Sequence, residues 1–326
     1  MKNVMLATLS AFAVTVIAGR ISIPLLRKIK VGQPILKYVT EHSDKQGTPT
    51  MGGLFFVLPA VAVFFAFGGS KSRVASVGAA ICLFYLIVGF LDDFIKIKLK
   101  HNEGLKPYQK ILFQTAIAIL GGVFAYVNAL TRVFIPFTEK IVDLGAWAIP
   151  VVVFLFIAMT NSVNLTDGLD GLCGGVSFCY LVILFTLLAL QRSVALPYLK
   201  STEYDGLFLL VAGFLGGISG FLVFNVPKAK VFMGDTGSLA LGGLISSVTV
   251  FSGNTLYAPI FGITFVWSSL SVIIQVAHFK RTKKRVFLMA PFHHHLQMKG
   301  FTETQIGFYY SAITVIMGLV SLIFYI

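Results

Sequence analysis

The chain has 326 residues, 56% of them hydrophobic and only 12% charged, with a formal net charge of +13 and a mean hydropathy of +0.87. A soluble globular domain carries about 25% charged residues, so this composition excludes a water-soluble enzyme and points to a polytopic membrane protein. Cys82, Cys173 and Cys179 lie in or beside apolar blocks, without the paired spacing of a disulfide framework or a zinc site.

The apolar residues fall into blocks of the length needed to cross about 30 Å of hydrocarbon. In chain order they predict about ten helices, near 4–26, 53–68, 74–91, 110–130, 147–163, 172–190, 206–224, 237–251, 258–278 and 305–326. The second and eighth are short for a span. The first block begins with Lys2 and has the look of a signal peptide, but the many blocks behind it favour an uncleaved first helix. Glycine is frequent in several blocks, as in LLVAGFLGGISGFLVF, which lets helix backbones approach closely. No repeat, low-complexity stretch or long polar insertion divides the chain, so residues 1–326 are expected to form one transmembrane domain.

Basic residues choose the sides. The connections near 27–52, 92–110, 164–171, 225–236 and 279–304 hold 18 Lys and Arg, against 7 on the opposite side. That bias places the first set in the cytoplasm and both termini outside. The run Lys280 to Arg285 fits contact with anionic lipid headgroups, each basic residue contributing about 1 kcal/mol.

Five of the thirteen carboxylates then fall on one side, each where an apolar segment stops: Asp92 and Asp93 in GFLDDFIK, Asp167 and Asp170 in NSVNLTDGLDG, and Asp235 in VFMGDTGS. Ionisable groups near the bilayer are costly and mark functional sites by default. Clustered carboxylates repel unless a cation joins them, and hard oxygen ligands suit Mg²⁺ bound together with substrate phosphates. Lys45, Lys106 and Lys110 stand among Gly, Pro and polar residues, where they would neutralise phosphate. Acids, lysines and a divalent cation together make the equipment of phosphoryl transfer, in which catalysis is mostly positioning and electrostatics.

Each motif also has a plainer structural reading. Adjacent Asp92 and Asp93 point about 100° apart on a helix and need not share a ligand. Asp167 and Asp170 share a face if their segment is helical, with Asn161, Asn164 and Thr166 just before them. Capping by Asn164 or Asp167, and by Asp235 or Thr236, is the simple alternative. His293, His294 and His295 follow Ala290-Pro291-Phe292. Three consecutive histidines cannot all reach one metal, and their neutral-range titration suits phosphate or sugar contact.

Taken together and in sequence, GTPTMGG, GFLDDFIK, NSVNLTDGLDGL, VFMGDTGSLALG and APFHHHLQMKG resemble the phospho-N-acetylmuramoyl-pentapeptide transferases. These belong to the superfamily of polyprenyl-phosphate N-acetylhexosamine-1-phosphate transferases. The likeness runs from about Lys45 to the last helix, and the PFHHHLQ segment is its branch-specific part. It implies transfer of phospho-MurNAc-pentapeptide from its UDP carrier to undecaprenyl phosphate, giving lipid I and UMP, with Mg²⁺ required. It also implies a bacterial inner-membrane enzyme of peptidoglycan synthesis, a homodimer in a lipid environment, with no nucleic-acid partner.

Carried over by residue, the resemblance makes Asp235 the Mg²⁺ ligand and puts Asp92 and Asp93 near the acceptor phosphate, one of them as base or nucleophile. Lys45, Asn164, Asp167, Asp170 and Phe232 match the uridine and diphosphate region, Phe232 stacking on uracil. Thr50, Asn225, Gln275, His294 and His295 match other site positions, with His293 to His295 toward the sugar and peptide and His294 counted as catalytic. Lys106 or Lys110 would contact phosphate. Two rivals stay open: a sister enzyme using a UDP-N-acetylhexosamine without the peptide, and a transporter, whose acids would sit nearer the bilayer midplane in paired broken helices.

Overall fold

The computed structural model describes residues 1–28, 47–99, 104–138, 140–193 and 198–323. Its helices, in chain order, are α1 (Lys2–Lys28), α2 (Leu54–Ala66), α3 (Arg73–Leu99), α4 (Pro107–Val127), α5 (Ala148–Thr166), α6 (Leu172–Ser193), α7 (Ser201–Asn225), α8 (Gly234–Phe251), α9 (Ala258–Phe261), α10 (Ile263–Thr282), α11 (Phe292–Met298) and α12 (Glu303–Ile323). Among the described residues eight helices are long and apolar enough to cross a membrane: α1, α3, α4, α5 with its leading 3₁₀ turn from Gly145, α6, α7, α10 and α12. The chain is a multi-pass membrane protein. The two spans that looked short in the sequence fall below that measure. The α2 helix has 13 residues, and the 18 of α8 are diluted by Gly, Ser and Thr.

Those small polar residues let α8 sit at the centre. Every α8 residue except Asp235 is buried, and α3 and α5 pack along it. Most of its hydroxyls are satisfied within the helix, because Ser238, Ser246, Ser247 and Thr249, and Ser252 just after it, each donate to the carbonyl four residues back. Such back-bonding makes hydroxyl-bearing residues tolerable within an apolar interior.

Glycine sets the closest approaches. On α7, Gly216 and Gly220 face carbonyls of α1, at Thr8 and Phe12, while Gly213 and Gly217 face carbonyls of α2, at Ala60 and Phe56. One helix thus receives two neighbours through small-residue faces, as expected where packing rather than hydrophobicity drives association.

Three features depart from the sequence reading. The ninth span is broken at Gly262 into α9 and α10. A two-stranded antiparallel hairpin, β1 (Arg132–Phe134) with β2 (Ile141–Asp143), joins α4 to α5, with Val133 opposite Val142. Its six residues include three β-branched ones, too few to register in a helix-dominated pattern. The third helix also runs on to Leu99, about two turns beyond the expected end near residue 91. Lys96 pairs with Asp92 four residues earlier, an arrangement that supports helix.

Candidate active site

Four helices, α3, α4, α5 and α8, meet at the site. The α3 helix brings Asp92 and Asp93, only 2% and 0% exposed. The α8 helix brings Asp235 at its second position, where Gly89 of α3 lies so close that any Cβ would strike the Asp235 carbonyl. Carboxylate oxygens of Asp92, Asp93 and Asp235 lie within 4.8 Å of one another.

Two lysines offset most of the group's charge. Lys96 Nζ is 2.5 Å from Asp92 Oδ2, 3.1 Å from Asp235 Oδ2 and 4.0 Å from Asp93 Oδ1. Lys110 Nζ is 2.7 Å from Asp235 Oδ2. From α5, Asn164 Nδ2 donates to Asp235 Oδ1 at 2.7 Å and to Ser238 Oγ at 2.8 Å. Asp235 is therefore gripped on both oxygens, by Lys96 and Lys110 on one and by Asn164 on the other.

The two adjacent aspartates differ in their partners. Asp93 accepts from the backbone N–H of Asp235 at 3.2 Å, from the N–H of Thr236 at 2.9 Å and from the Thr236 hydroxyl at 2.7 Å. It caps the first turn of α8 from another helix. A carboxylate is favoured there, since the first N–H groups of a helix lack internal partners and the helix dipole is positive at that end. Asp92 accepts instead from the Leu105 N–H at 2.9 Å, beside its pair with Lys96. The cap that Asp235 or Thr236 offered in sequence is thus supplied by Asp93, 143 residues from Thr236.

Gly234 has φ +72°, and a side chain there would strike Asp93 Oδ2 and crowd Thr50 Oγ1. Thr50 is buried against the start of α8. The two segments are stitched by Phe232 N–H to the Pro49 carbonyl, and by Gly52 and Gly53 N–H to the Phe232 and Met233 carbonyls. Phe232 is half-buried in this stitch.

Asp167 and Asp170 do not share a helical face. The α5 helix stops at Thr166 and α6 starts at Leu172, with Gly171 at φ +73° in the turn between. Asp170 accepts from the Ala229 N–H at 3.0 Å, and Asn225 accepts from the Gly171 N–H at 3.1 Å while donating to the Val231 carbonyl. Both fasten the 225–233 loop to this turn. Burial pushes the Asp167 carboxyl well up from its ordinary range, and the charges of Asp235, Asp93 and Asp170 add to that. Asp167 thus lies within the field of the carboxylate group.

The histidines reach the same turn from α11. Gly168 admits them: a Cβ there would collide with His293 Nε2 and press on His294 Nε2. His293 is fully buried, and neither ring nitrogen has a hydrogen-bond partner among the described residues. Burial, with His294 beside it, lowers its pKa well below 6.5. His294 Nδ1 lies 3.2 Å from Gln297 Oε1. His295 stacks on Phe292 with ring centroids 5.3 Å apart and accepts from the Leu288 N–H; slight burial and Lys299 lower its pKa. Gln275 accepts from the Val286 and Phe287 N–H groups and donates to the Phe287 carbonyl, so its amide braces the loop before α11.

The candidates named from sequence therefore divide. Asp92, Asp93, Asp235, Lys110 and Asn164 converge; Thr50 and Phe232 border them; Asp167, Asp170, Asn225, His293 and His294 form the adjoining turn. Lys106 is exposed at the start of α4, so Lys110 is the lysine at the acids. Gln275 and His295 brace a loop, and Lys45 lies outside the described residues. Sequence reasoning missed Lys96, the residue in contact with all three acids. Its only signal was the i, i+4 spacing from Asp92, common to any exposed helix.

Hard carboxylate oxygens this close suit a small divalent cation. Three carboxylates against Lys96 and Lys110 leave one negative charge, and Asp92 and Asp235 are the acids not committed to capping.

The glycosyl transferase family 4 model matches residues 74–253, and a phospho-N-acetylmuramoyl-pentapeptide-transferase signature matches residues 45–57. The chain is 41% identical over 321 residues to the phospho-N-acetylmuramoyl-pentapeptide-transferase of Clostridioides difficile (strain 630), covering 97% of this chain and 95% of that one. It is 39% identical to the one from Caldanaerobacter subterraneus, covering 98% of each, and 40% identical to that of Thermoanaerobacter sp. (strain X514), covering 97% and 96%. A site of gathered carboxylates and lysines within a helical membrane bundle, matched end to end by these relatives, belongs to a transferase of the phospho-N-acetylmuramoyl-pentapeptide-transferase family.

Proposed function

We propose that this chain transfers phospho-MurNAc-pentapeptide from UDP-MurNAc-pentapeptide to undecaprenyl phosphate, giving lipid I and UMP, at the cytoplasmic face of a bacterial inner membrane. The observation that carries the reading is Asp235 held between Lys96, Lys110 and Asn164, within 4.8 Å of Asp92 and Asp93. An apolar acceptor needs a site between membrane helices, and a nucleotide donor needs the water-facing end of them. The tally of ten spans, with α2 and α8 as the two short ones and both termini outside, belongs to this reading. So do the single domain and the homodimer.

Mg²⁺, when bound by Asp235 with Asp92 nearby, would offset the donor's diphosphate charge and polarise the bond to the leaving group. Lys96 and Lys110 now satisfy carboxylates and would exchange them for phosphate oxygens as the donor enters. An oxygen of the lipid phosphate attacks the donor's β-phosphorus. The bond from that phosphorus to the bridging oxygen breaks, and UMP leaves with the electron pair. A phosphate monoester has its second pKa near 6, so the acceptor is largely anionic and needs little base; any proton it carries passes to Asp92. Asp93 keeps its cap on α8 throughout. Phe232 and the Asp167–Asp170 turn would hold uridine, with His294 toward the sugar and peptide.

The test is UMP release by purified protein given both substrates, with and without Mg²⁺. Release should need both substrates and the metal. Asp235→Asn should lower it more than about 10²-fold, the scale set by loss of one electrostatic contact to the reacting centre, with unfolding in detergent unchanged. Turnover of a UDP-N-acetylhexosamine alone would replace this donor with the simpler one. Isolation of a competent aspartyl-phosphate would replace direct attack.

A further inference from the structure

One turn below the acids, inside the apolar interior, α4 and α5 share a pair of carboxamides. Asn161 Nδ2 donates to Gln114 Oε1 at 2.7 Å, and Gln114 Nε2 returns toward Asn161 Oδ1 at 3.5 Å. Asn161 also donates to the Ile157 carbonyl, and the Gln114 carbonyl accepts from Tyr85 of α3. Gln114 is fully buried. Polar groups at such depth are expensive and are retained for a reason, and no reacting atom need come near these.

Their spacing supplies the reason. Gln114 lies four residues after Lys110 on α4, and Asn161 three before Asn164 on α5, so each amide shares a helix face with a residue holding Asp235. Lys110 takes one oxygen of that carboxylate and Asn164 the other. A slide of α4 against α5 would loosen one grip or the other. Apolar contacts alone resist such a slide poorly, because lipid and side chains are nearly equivalent surroundings. A reciprocal amide pair fixes the register.

We infer that Gln114 and Asn161 form a clasp that positions Lys110 and Asn164 on Asp235, acting on turnover without touching substrate. This rests on the proposed transferase reading, and the experiment separates the two. Wild-type protein is first assayed for UMP release with both substrates; failure there removes the transferase reading and not the clasp. Gln114→Leu, Asn161→Leu, the double variant and the exchanged pair Gln114→Asn with Asn161→Gln are then compared in kcat, donor KM and detergent melting temperature.

Each single variant should lose about tenfold in kcat, within the up to 10²-fold cost of a small remote misplacement, with donor KM within about twofold. The double variant should be no worse than the poorer single one, because one interaction is lost only once. The exchanged pair, which keeps the combined reach, should recover most of kcat. Multiplying losses in the double variant, a loss confined to KM, or activity that falls only with the folded fraction would each overturn the clasp. Were the exchanged pair to misfold, non-additivity of the two single variants decides alone.

Discussion

His293 has an aromatic ring with two polar nitrogens, buried and without hydrogen-bond partners among the described residues. Burial disfavours its charged form, so its folded pKa lies below the unfolded value near 6.5. The stability it allows is present in full above that unfolded value. It is lost as pH falls toward the folded pKa, because the unfolded chain then binds the proton more readily. Asp167, raised by burial, has the opposite sign and favours the folded state as pH falls. The difference between wild type and His293→Gln isolates the histidine. The melting temperature of wild type relative to the variant should fall between about pH 7 and pH 5.5. Parallel curves would place a charged histidine against Gly168.

At the scale of elements, the α7 glycines set the spacing of α1 and α2. Gly216 leaves no room for even a methyl group beside the Thr8 carbonyl, and the obstacle is backbone, which cannot swing aside. Gly216→Val should therefore destabilise the protein by about 1–3 kcal/mol, the usual cost of overpacking. Thermal unfolding in detergent measures it. Gly307, with nothing within 4 Å of its would-be Cβ, makes the control: Gly307→Ala should leave the melting temperature unchanged or raise it slightly. Equal losses at both positions would mean that the α1–α7 contact is looser than drawn.

Across the whole molecule, the apolar blocks foretold most helices because a bilayer demands continuous apolar length. They were silent where tertiary contact decides. Asp92, Asp167 and Asp235 announced themselves as acids at block ends. The capping duty of Asp93 was not legible, since it depends on the close passage of Gly89 past the Asp235 carbonyl. Lys96 was hidden in an ordinary helix spacing, whereas the connection at 164–171 was legible from the break between two apolar blocks and contains the turn between α5 and α6. The charge bias proposes the sidedness, and its check is direct. In a background without Cys82, Cys173 and Cys179, Lys284→Cys should react with an impermeant thiol reagent only from the inside, and Phe137→Cys only from the outside. The reverse pattern would invert the topology and put the acids beyond reach of a cytoplasmic nucleotide.

The Asp93 contact with α8 also constrains biosynthesis. During synthesis, residues 92–96 emerge long before residue 235 exists, carrying two carboxylates and one ammonium. Asp93 has no N–H groups of α8 to accept until four further apolar helices, α4 to α7, have been threaded. A ribosome-bound intermediate halted before that point must shelter a surplus anion at the bilayer edge. Insertion of α8 relieves it, so the step that quiets the nascent chain is also the one that delivers Asp235.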